Sequence, residues 1–298
     1  MNYNLKKRFN VLDVIIIAYN PDVNLVINNI KKISKLDIVN EIIVVDNSLV
    51  DNKLIIDNVT YIPLFDNYGI AKAQNIGIQH SCNNSITDAI LLFDQDSVIE
   101  SDMVEILYGD FNKYKKEYKN IAAIGPLTID SFSNKKEIPK FNQMVDSLNL
   151  LIVKEIIASG KLINKEIISD VGLMNEELFI DGVDHEWCWR ATSKNYKIVL
   201  SLNALMVHTV GDSRIKIPLI PLSLRVASPI RMYYQYRNFF LLIKEKHTPL
   251  FWKIRNSIGY ILKGLIFTLF VSDRKERFSF IKKGVIDGIK DKRGRIDD

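Results

Sequence analysis

The chain has 298 residues, of which 47% are hydrophobic and 25% are charged, and its formal net charge is +5. These values fit one large globular domain, or one domain with an appendage. The two cysteines, Cys82 and Cys188, are too few for a disulfide framework or a thiolate metal site, which indicates a reducing compartment. The apolar run at residues 14–18 is too short for a signal peptide or a membrane span, so we expect a cytoplasmic protein.

Strands and helices alternate over the first hundred residues. Short apolar runs predict four buried strands, at residues 11–18, 41–48 (with polar residues at its end), 59–64 and 89–93. Apolar residues at helical spacing predict one helix after residue 22 and another over residues 70–80. This alternation predicts an α/β fold with a doubly wound, mostly parallel, Rossmann-like sheet that helices cover on both faces.

The turn after the first predicted strand carries no glycine-rich phosphate loop. Residues 18–21 read Ala-Tyr-Asn-Pro, without the spacing of GxGxxG or GxxxxGK[ST]. A dinucleotide-binding dehydrogenase and a P-loop NTPase are therefore both disfavoured.

Polar clusters follow three of the four predicted strands, and the remaining strand leads into a polar turn. The clusters are residues 19–20, 46–48 and 94–96, and the turn carries Asp66, Asn67 and Gly69. Ligands of doubly wound sheets bind beyond the carboxyl ends of the strands. The sequence therefore predicts one site at this edge of the sheet.

The fourth predicted strand ends in Asp94 and Asp96, separated by one residue. Strand side chains alternate, so both carboxylates face the same way, and their charges repel unless a cation lies between them. Hard oxygen ligands suit Mg²⁺ or Mn²⁺, which share their coordination with substrate phosphates. A turn followed by a helix cap explains these residues equally well, so the motif alone leaves both interpretations open.

Beyond residue 120 the periodicity is weaker. We expect a strand at residues 121–126, a polar loop at 131–143 and a strand at 150–158. Residues 163–171 have a helical pattern that Gly172 ends.

A second acidic cluster lies at residues 179–191, beside two tryptophans. Asp184 falls at or near a predicted helix start, with Glu186 in the first turn, where helix capping alone explains the acids. An acid in such a place also suits a general base that faces a cleft. Further along, His208 ends a short predicted strand at residues 204–208, as either a structural residue or a metal or phosphate contact.

Taken in chain order, these motifs resemble bacterial family-two glycosyltransferases with the GT-A fold. The subgroup that they resemble is the rhamnosyltransferases of cell-surface polysaccharide assembly, and the resemblance covers residues 11–242. The segments that carry it are residues 17–21, 44–48, 67–77, 93–97, 179–190 and 231–238.

The resemblance implies a binding set for a nucleotide-sugar donor and a divalent cation. Eight residues would hold the donor: Tyr19, Asp46, Asn47, Asn67, Gly69, Gln74, Asn75 and Asp94. Asp96 and His208 would bind the Mg²⁺ or Mn²⁺ ion, with Asp94 completing the Asp-x-Asp pair.

The resemblance also implies the reacting residues on the acceptor side. Asp184 would be the catalytic base, and Glu186 and Trp187 would contact the acceptor. Arg231 and Arg237 are candidates for phosphate contacts.

The position before the predicted base departs from the pattern. Many relatives carry an acid there, and this chain has Val183, so Asp181 and Glu186 stay open as alternatives to Asp184.

The implied function is metal-dependent, inverting sugar transfer to a saccharide acceptor that is lipid-linked. The donor implied by the subgroup is dTDP-L-rhamnose. The alternatives are another donor sugar (galactofuranose, glucose or N-acetylglucosamine) or a non-catalytic subunit that binds a nucleotide sugar or a glycan. A nucleic-acid partner is disfavoured, since the basic residues concentrate after Arg225 and the predicted cleft is acidic.

We expect a GT-A domain over residues 1–224, with a donor half at about 11–100 and an acceptor half at 101–224, followed by a basic helical region at 225–298. Residues 249–270 are aromatic and aliphatic with scattered cations, which excludes a spanning helix. The pattern fits a helix at the surface of an anionic membrane, or equally a helix packed on the catalytic domain.

Overall fold

The computed structural model describes residues 11–54, 56–131, 134–140, 142–208, 213–216 and 223–296. The side chains of residues 208, 213–216 and 223–225 lie outside this description. The strands are β1 (Leu12–Ala18), β2 (Val39–Asp46), β3 (Val59–Pro63), β4 (Ala89–Asp94), β5 (Ile121–Asp130), β6 (Asn142–Val145), β7 (Leu150–Val153), β8 (Lys161–Asn164), β9 (Lys197–His208), β10 (Ser213–Lys216) and β11 (Ser223–Val226). The α-helices are α1 (Val23–Ile33), α2 (Ile70–Asn84), α3 (Ser101–Tyr118), α4 (Ile168–Val171), α5 (Val183–Ser193), α6 (Pro229–Lys244), α7 (Leu250–Phe270) and α8 (Arg274–Ile289).

Nine of the strands form one twisted sheet in the order β3-β2-β1-β4-β8-β5-β9-β7-β6. The first four run parallel, with Ile16 of β1 opposite both Val44 of β2 and Phe93 of β4. β9 runs parallel to β5, whereas β8 runs antiparallel to both of its neighbours. The prediction of an α/β fold with a parallel central sheet and a helical C-terminal extension is confirmed.

Both faces of the central sheet are covered, which explains why β1 is apolar along most of its length. Its residues alternate between two cores: Val14 and Ile16 pack with α1 and α3, and Ile15 and Ile17 pack with α2 and α5. Burying such side chains stabilises the fold by about 1.5–3 kcal/mol each. The sheet is therefore rigid at the edge where β1 and β4 end.

Helix α2 approaches the sheet closely at one glycine. A Cβ atom on Gly77 would lie 2.6 Å from Cγ2 of Ile15 and 3.3 Å from Cγ2 of Val45. No side chain fits in that space, so Gly77 sets the distance between α2 and the sheet.

The segment after β7 differs from the sequence-based prediction. The predicted helix at 163–171 is only partly correct: residues 163–164 belong to the strand β8, whereas a 3₁₀ turn at Lys165–Ile167 and one turn of helix, α4, follow and end at Gly172 as predicted. The physical reason is tertiary, because β8 is buried over its full length between β4 and β5. A short apolar run of this kind does not distinguish strand from helix by its period.

Two other predictions in this region are partly wrong. The predicted strand at 150–158 ends at Val153, and the predicted loop at 131–143 contains the start of β6, which pairs with β7. Residues 154–158 instead form an irregular segment that reaches the cavity described below.

The C-terminal helices attach to the sheet domain through two buried polar residues. Arg237 of α6 donates from Nη2 to the carbonyl oxygen of Leu178 (3.1 Å). Asn238 donates from Nδ2 to the carbonyl oxygens of Leu178 (2.9 Å), Ile180 (2.6 Å) and Asp181 (2.8 Å). The loop at residues 178–181 has no strand to pair with, so these bonds satisfy its carbonyl oxygens and attach α6 to it.

Helix α7 is mostly exposed. Of its 21 residues only Phe267 is fully buried, in a small core with residues of α6 and α8. None of the described helices combines the length and hydropathy that a membrane-spanning segment requires.

Candidate active site

A cavity of about 560 Å³ lies at the carboxyl ends of β1, β2 and β4. The first half of the chain contributes the strand-end residues Tyr19, Asn47, Asp94 and Asp96, and the second half contributes residues 179–185. The two acidic clusters, remote in sequence, therefore line one cavity, as the position of the strand ends predicts.

Gln95 fixes the loops after β1 and β4 against each other. Its side-chain nitrogen donates to the carbonyl oxygen of Tyr19 (2.8 Å), and its side-chain oxygen accepts from the backbone N–H of the same residue. The backbone N–H of Gln95 continues the ladder to the carbonyl of Ile17 (3.1 Å). Gln95 thereby holds Asp94 and Asp96, its two neighbours, in a defined place.

The cavity carries strong negative charge around Asp94. Burial raises the pKa of Asp94 to about 7, with the carboxylates of Asp96 and Asp184 adding to the rise, while Arg231 and Lys161 oppose it. A shift of this size requires that the acids lie near one another in a partly dehydrated space. A divalent cation at this place would remove the repulsion.

Asp94 and Asp96 have the donor chemistry of a Mg²⁺ or Mn²⁺ site. Among the residues that the structure describes, no group of three His, Cys, Asp or Glu side chains could hold a metal ion. Mg²⁺ at phosphate sites is commonly held by one or two carboxylates together with substrate phosphates and water. The predicted ligand His208 ends β9, opposite Asp130, and its side chain lies outside the described residues.

Two asparagines join the ends of β2 and β3 beside the cavity. Asn47 donates from Nδ2 to Oδ1 of Asn67 (3.0 Å) and accepts from the backbone N–H of Tyr68 (2.9 Å). Asn67 also accepts from the N–H of Gly69 (3.0 Å). The loop that leads into α2 is therefore rigid and open to the cavity.

Gly69 is required where this loop meets the rim. Its φ is 83°, and a Cβ atom there would lie 2.6 Å from the carbonyl oxygen of Phe179. Gln74 lies one turn further along α2, buried but on the cavity wall, and Tyr19 lies across the opening with 42% of its surface exposed. Gly69, Gln74 and Tyr19 therefore all line the same cavity.

Two residues of the predicted donor set lie behind the cavity wall. Asp46 is buried and accepts hydrogen bonds from the N–H of Ser48 (3.1 Å), Nδ2 of Asn52 (2.8 Å) and the hydroxyl of Tyr61 (2.8 Å). Asn75 bonds both backbone groups of Met174. The structure gives Asp46 and Asn75 a part in shaping the site, in place of the direct contact that the resemblance implies.

Asp184 lies in the first turn of α5, with 23% of its side chain exposed, on the cavity wall. Burial disfavours its charge, but His185, the cation of Lys161 and the N–H of His185 together outweigh that effect and lower its pKa. The Nζ of Lys161 also donates to the backbone carbonyl of Asp184 (3.2 Å). Asp184 is thus held as a carboxylate, which can accept a proton.

The predicted acceptor contacts of Glu186 and Trp187 are wrong in placement. Glu186 is buried and accepts from Nε of Arg190 (2.8 Å), with Nε2 of His247 at 2.9 Å. Trp187 is 1% exposed, and its indole N–H donates to the carbonyl of Gly172 (2.9 Å). Both side chains are buried in the domain, and neither lines the cavity.

The two predicted phosphate contacts differ from each other. Arg231 lies on the cavity wall and pairs with Asp181 (3.1 Å), so it lies close to Asp94 and can meet an anion. Arg237 is fully buried, and its guanidinium donates to the backbone carbonyls of Leu178, Lys292 and Gly294. The prediction for Arg237 is wrong, because its donors are already satisfied by the backbone.

Three residues near the reacting acids were not predicted: Gln95, Lys161 and His185. The sequence contains one clue to Lys161, which is a single cation at the start of an apolar run. In the structure Lys161 is completely buried. Gln95 and His185 are ordinary surface residue types, and only their neighbours in the sequence point to them.

Comparisons with known proteins identify a relative of the chain and structures with a similar fold. No protein-family model matches the chain. The dTDP-rhamnosyl transferase RfbF of Shigella flexneri is 31% identical over 295 residues, which cover 93% of this chain and 94% of the relative.

Two solved structures have the same fold at low sequence identity. GalNAc-T7, crystallised with UDP, GalNAc and Mn²⁺, aligns with a TM-score of 0.56 and 12% identity over 95% of this chain and 56% of its own. TarS of S. aureus (residues 1–349) aligns with a TM-score of 0.50 and 16% identity over 94% of this chain and 81% of its own.

The protein is therefore a glycosyltransferase with the GT-A fold. Identity of 31% along nearly the whole of both chains places it more narrowly: it belongs to the rhamnosyltransferase-like subgroup of the family-two glycosyltransferases, together with RfbF.

Proposed function

We propose that the protein transfers L-rhamnose from dTDP-L-rhamnose to the hydroxyl of a saccharide acceptor, with inversion at the anomeric carbon. The single observation that carries this proposal is the meeting of Asp94, Asp96 and Asp184 in one cavity. The choice of donor is supported by the name of the relative RfbF, a dTDP-rhamnosyl transferase.

The donor diphosphate would lie against Asp94 and Asp96, with Asn47, Asn67 and Gly69 holding the nucleotide side. Asp94 and Asp96 would hold a Mg²⁺ or Mn²⁺ ion, which would supply charge neutralisation for the leaving group. Support for a metal comes from the Mn²⁺ in the GalNAc-T7 structure and from the raised pKa of Asp94. Arg231, beside Asp181, adds a positive charge on the same wall.

Asp184 would accept the proton of the acceptor hydroxyl. As the acceptor oxygen forms its bond to the anomeric carbon, the bond from that carbon to the diphosphate breaks, and dTDP leaves with the electron pair. The proton passes to the Asp184 carboxylate, a general-base step that contributes about 10²–10⁴-fold to the rate. Attack from the face opposite the leaving group inverts the configuration.

The acceptor of this proposal is linked to a lipid, and the C-terminal region contacts the cytoplasmic face of the membrane peripherally. The support is one face of α7, on which exposed apolar residues recur every three or four positions: Leu250, Ile254, Ile258, Ile261, Leu265 and Leu269. Helix α7 also carries Lys253, Arg255 and Lys263 and no acid. An apolar face with cations and no acids fits an anionic bilayer surface.

The experiment that tests the transfer is a donor screen with the purified full chain and Mg²⁺ or Mn²⁺. Release of nucleoside diphosphate is measured for a panel of nucleotide sugars, with and without lipid-linked glycan acceptors. We expect release from dTDP-L-rhamnose that requires both the metal and an acceptor. Faster release from another donor would overturn the choice of sugar, and release that ignores the acceptor would indicate a hydrolase.

A further inference from the structure

A second cavity, of about 320 Å³, lies at the N-terminal end of α7. We call it the basic groove. Its walls come from the first turns of α7 and from two segments of the sheet domain, and its lining residues are Pro139, Lys140, Lys154, Glu155, Pro249, Phe251, Trp252 and Arg255.

The basic groove carries an excess of positive charge. Lys140, Lys154 and Arg255 face a single acid, Glu155, and the carboxylate of Glu155 already accepts from the indole N–H of Trp189 (2.8 Å). The groove also contains the N-terminus of α7, a helix of 21 residues, where the helix dipole adds partial positive charge. The basic side chains and the N-terminus of α7 therefore both place positive charge in the basic groove.

The floor of the basic groove is aromatic. Trp252 is half-buried and packs edge-on against Trp189, with ring centroids 5.0 Å apart, and Phe251 is exposed beside it. Aromatic faces pack against the apolar faces of sugar rings and against alkyl chains. Charge for an anion and a flat apolar surface for a ring are therefore present together.

The basic groove adjoins the active-site cavity on the side of His185. The rings of His185 and Trp189 lie 5.9 Å apart, and Trp189 in turn contacts Trp252, so one row of rings separates the two cavities. Two chain segments also line both: Glu137 and Ala158 face the active site, whereas Lys140 and Glu155 face the basic groove.

We propose that the basic groove binds a phosphate group attached to a glycan, as a site separate from the catalytic cavity. Lys140 and Arg255 would meet the phosphate, and Trp252 would pack against the ring beside it. The link to the acceptor rests on the proposed function, because the groove opens at the end of α7 where the apolar face begins and lies next to the proposed base. A phosphate that joins an acceptor glycan to its lipid has this chemistry.

The first test measures binding without catalysis, using the full chain in EDTA and glucose 1-phosphate as the probe, with glucose as the uncharged comparison. The variant Lys140→Gln/Arg255→Gln removes two charges from the groove. The control Lys275→Gln/Lys282→Gln removes two exposed charges from α8, outside the groove. We expect the groove variant to bind the probe at least about tenfold more weakly, since hydrogen bonds to charged groups are lost, and the control to bind as the parent does.

Equal binding by the groove variant, or equal loss in both variants, would overturn the proposal. A second comparison uses Asp94→Asn/Asp96→Asn: if that variant alone changes probe binding, the phosphate lies in the catalytic cavity and the proposal fails. Unchanged melting temperatures show that each variant is folded.

The second test separates this inference from the proposed function. KM is measured for a diphosphate-linked glycan acceptor and for the same glycan without phosphate. We expect the groove variant to raise KM for the first acceptor about tenfold and to leave the second unchanged. Equal KM changes for both acceptors would overturn the acceptor role. Loss of dTDP-L-rhamnose as the donor would overturn the proposed function and leave the binding result standing.

Discussion

The carboxyl group of Asp94 shows how one residue records the charge of a whole cavity. It ends a buried strand, and the repulsion from Asp96 and Asp184 adds to burial in raising its pKa to about 7, well above the ordinary 3.8. The metal-free protein therefore keeps a proton there that the unfolded chain has already lost between about pH 4 and pH 7. This proton favours the folded state at low pH, and its contribution is lost as the pH rises through about 7.

From this pKa we predict that Mg²⁺ binding expels the proton. At pH 7 the uptake of one ion should release on the order of half a proton from Asp94, and the affinity should fall steadily below pH 7. Calorimetric titration in buffers of different ionisation enthalpy measures the released protons. In Asp94→Asn the metal should bind more weakly and with little dependence on pH over this range. A wild-type affinity that stays constant from pH 5.5 to 7.5, on the order of a hundredfold change in proton activity, would contradict the prediction.

We predict that Asp184→Asn abolishes transfer and keeps nucleotide binding. The amide fills the same space but accepts no proton, so the turnover rate should fall by about 10²–10⁴-fold while the dissociation constant for the nucleotide stays within about twofold. Turnover and nucleotide titration are measured on the same preparation. Asp96→Ala serves as the opposite case, in which metal-dependent nucleotide binding and transfer are lost together. Full sugar transfer by Asp184→Asn would remove Asp184 from the base role.

The positions of residues at the ends of strands and helices were predictable, and the positions of residues defined by three-dimensional packing were not. Asp94, Asp96 and Asp184 all line the cavity, because element ends were legible in the sequence. Glu186 and Arg237 are also polar residues in the recognised motifs, yet their partners, His247 and the carbonyl of Leu178, lie about sixty residues away in the chain. No local pattern carries that information.

The strand β8 is an element whose secondary structure hydrophobic periodicity could not predict. Its four residues are buried on both faces, so they have neither the alternation of a half-buried strand nor the length of a helix. β8 is also the strand that carries Lys161 to the carbonyl of Asp184, so the element that was misassigned is one that positions the proposed base. The parallel strands β1, β2 and β4, longer and flanked by turns, were assigned correctly from the same kind of evidence.

We predict that two glycines in helices respond oppositely to alanine. Gly77→Ala should destabilise the fold by about 1–3 kcal/mol, because the new methyl group meets Ile15 of β1 in a packed core. Gly109→Ala in α3 meets nothing within 4 Å and should stabilise the fold by about 0.5–1 kcal/mol through better helix propensity. Urea denaturation measures both free energies of unfolding. Stabilisation by both substitutions would show that α2 can move away from the sheet without cost.

The whole molecule combines a closed catalytic domain with one open apolar face. Nearly every helix of the sheet domain buries its apolar side, whereas α7 exposes Ile258, Ile261 and Leu265 to solvent. Its helical character followed from the sequence, but whether it packs on the domain or faces outward depends on what α6 and α8 leave uncovered. Contiguous exposed apolar surface of this kind is a mark of an interaction site.

For this face we predict flotation of the full chain with vesicles that contain anionic lipid. Ile258→Asp/Leu265→Asp should abolish it, and added salt should weaken it, because charge attraction is screened. Ile86→Asp, in an exposed loop of the sheet domain, is the matched control and should float as the parent does. Point substitutions are cleaner than a chain cut near residue 246, which would also remove α8 from its contact with α6. Unchanged flotation of the double variant, or no flotation of the parent chain, would refute membrane contact.

The bonds from Arg237 and Asn238 to residues 178–181 have a consequence for chimeras. These bonds attach residues 178–181, on the rim of the cavity, to α6, the first of the C-terminal helices. The C-terminal helices therefore cannot be exchanged as an independent module. A chimera that takes residues 229–296 from a relative will lose the hydrogen bonds to residues 178–181 unless those residues are taken from the same relative. Attempts to direct this enzyme to a different membrane or binding partner should therefore exchange residues 178–181 and residues 229–296 together.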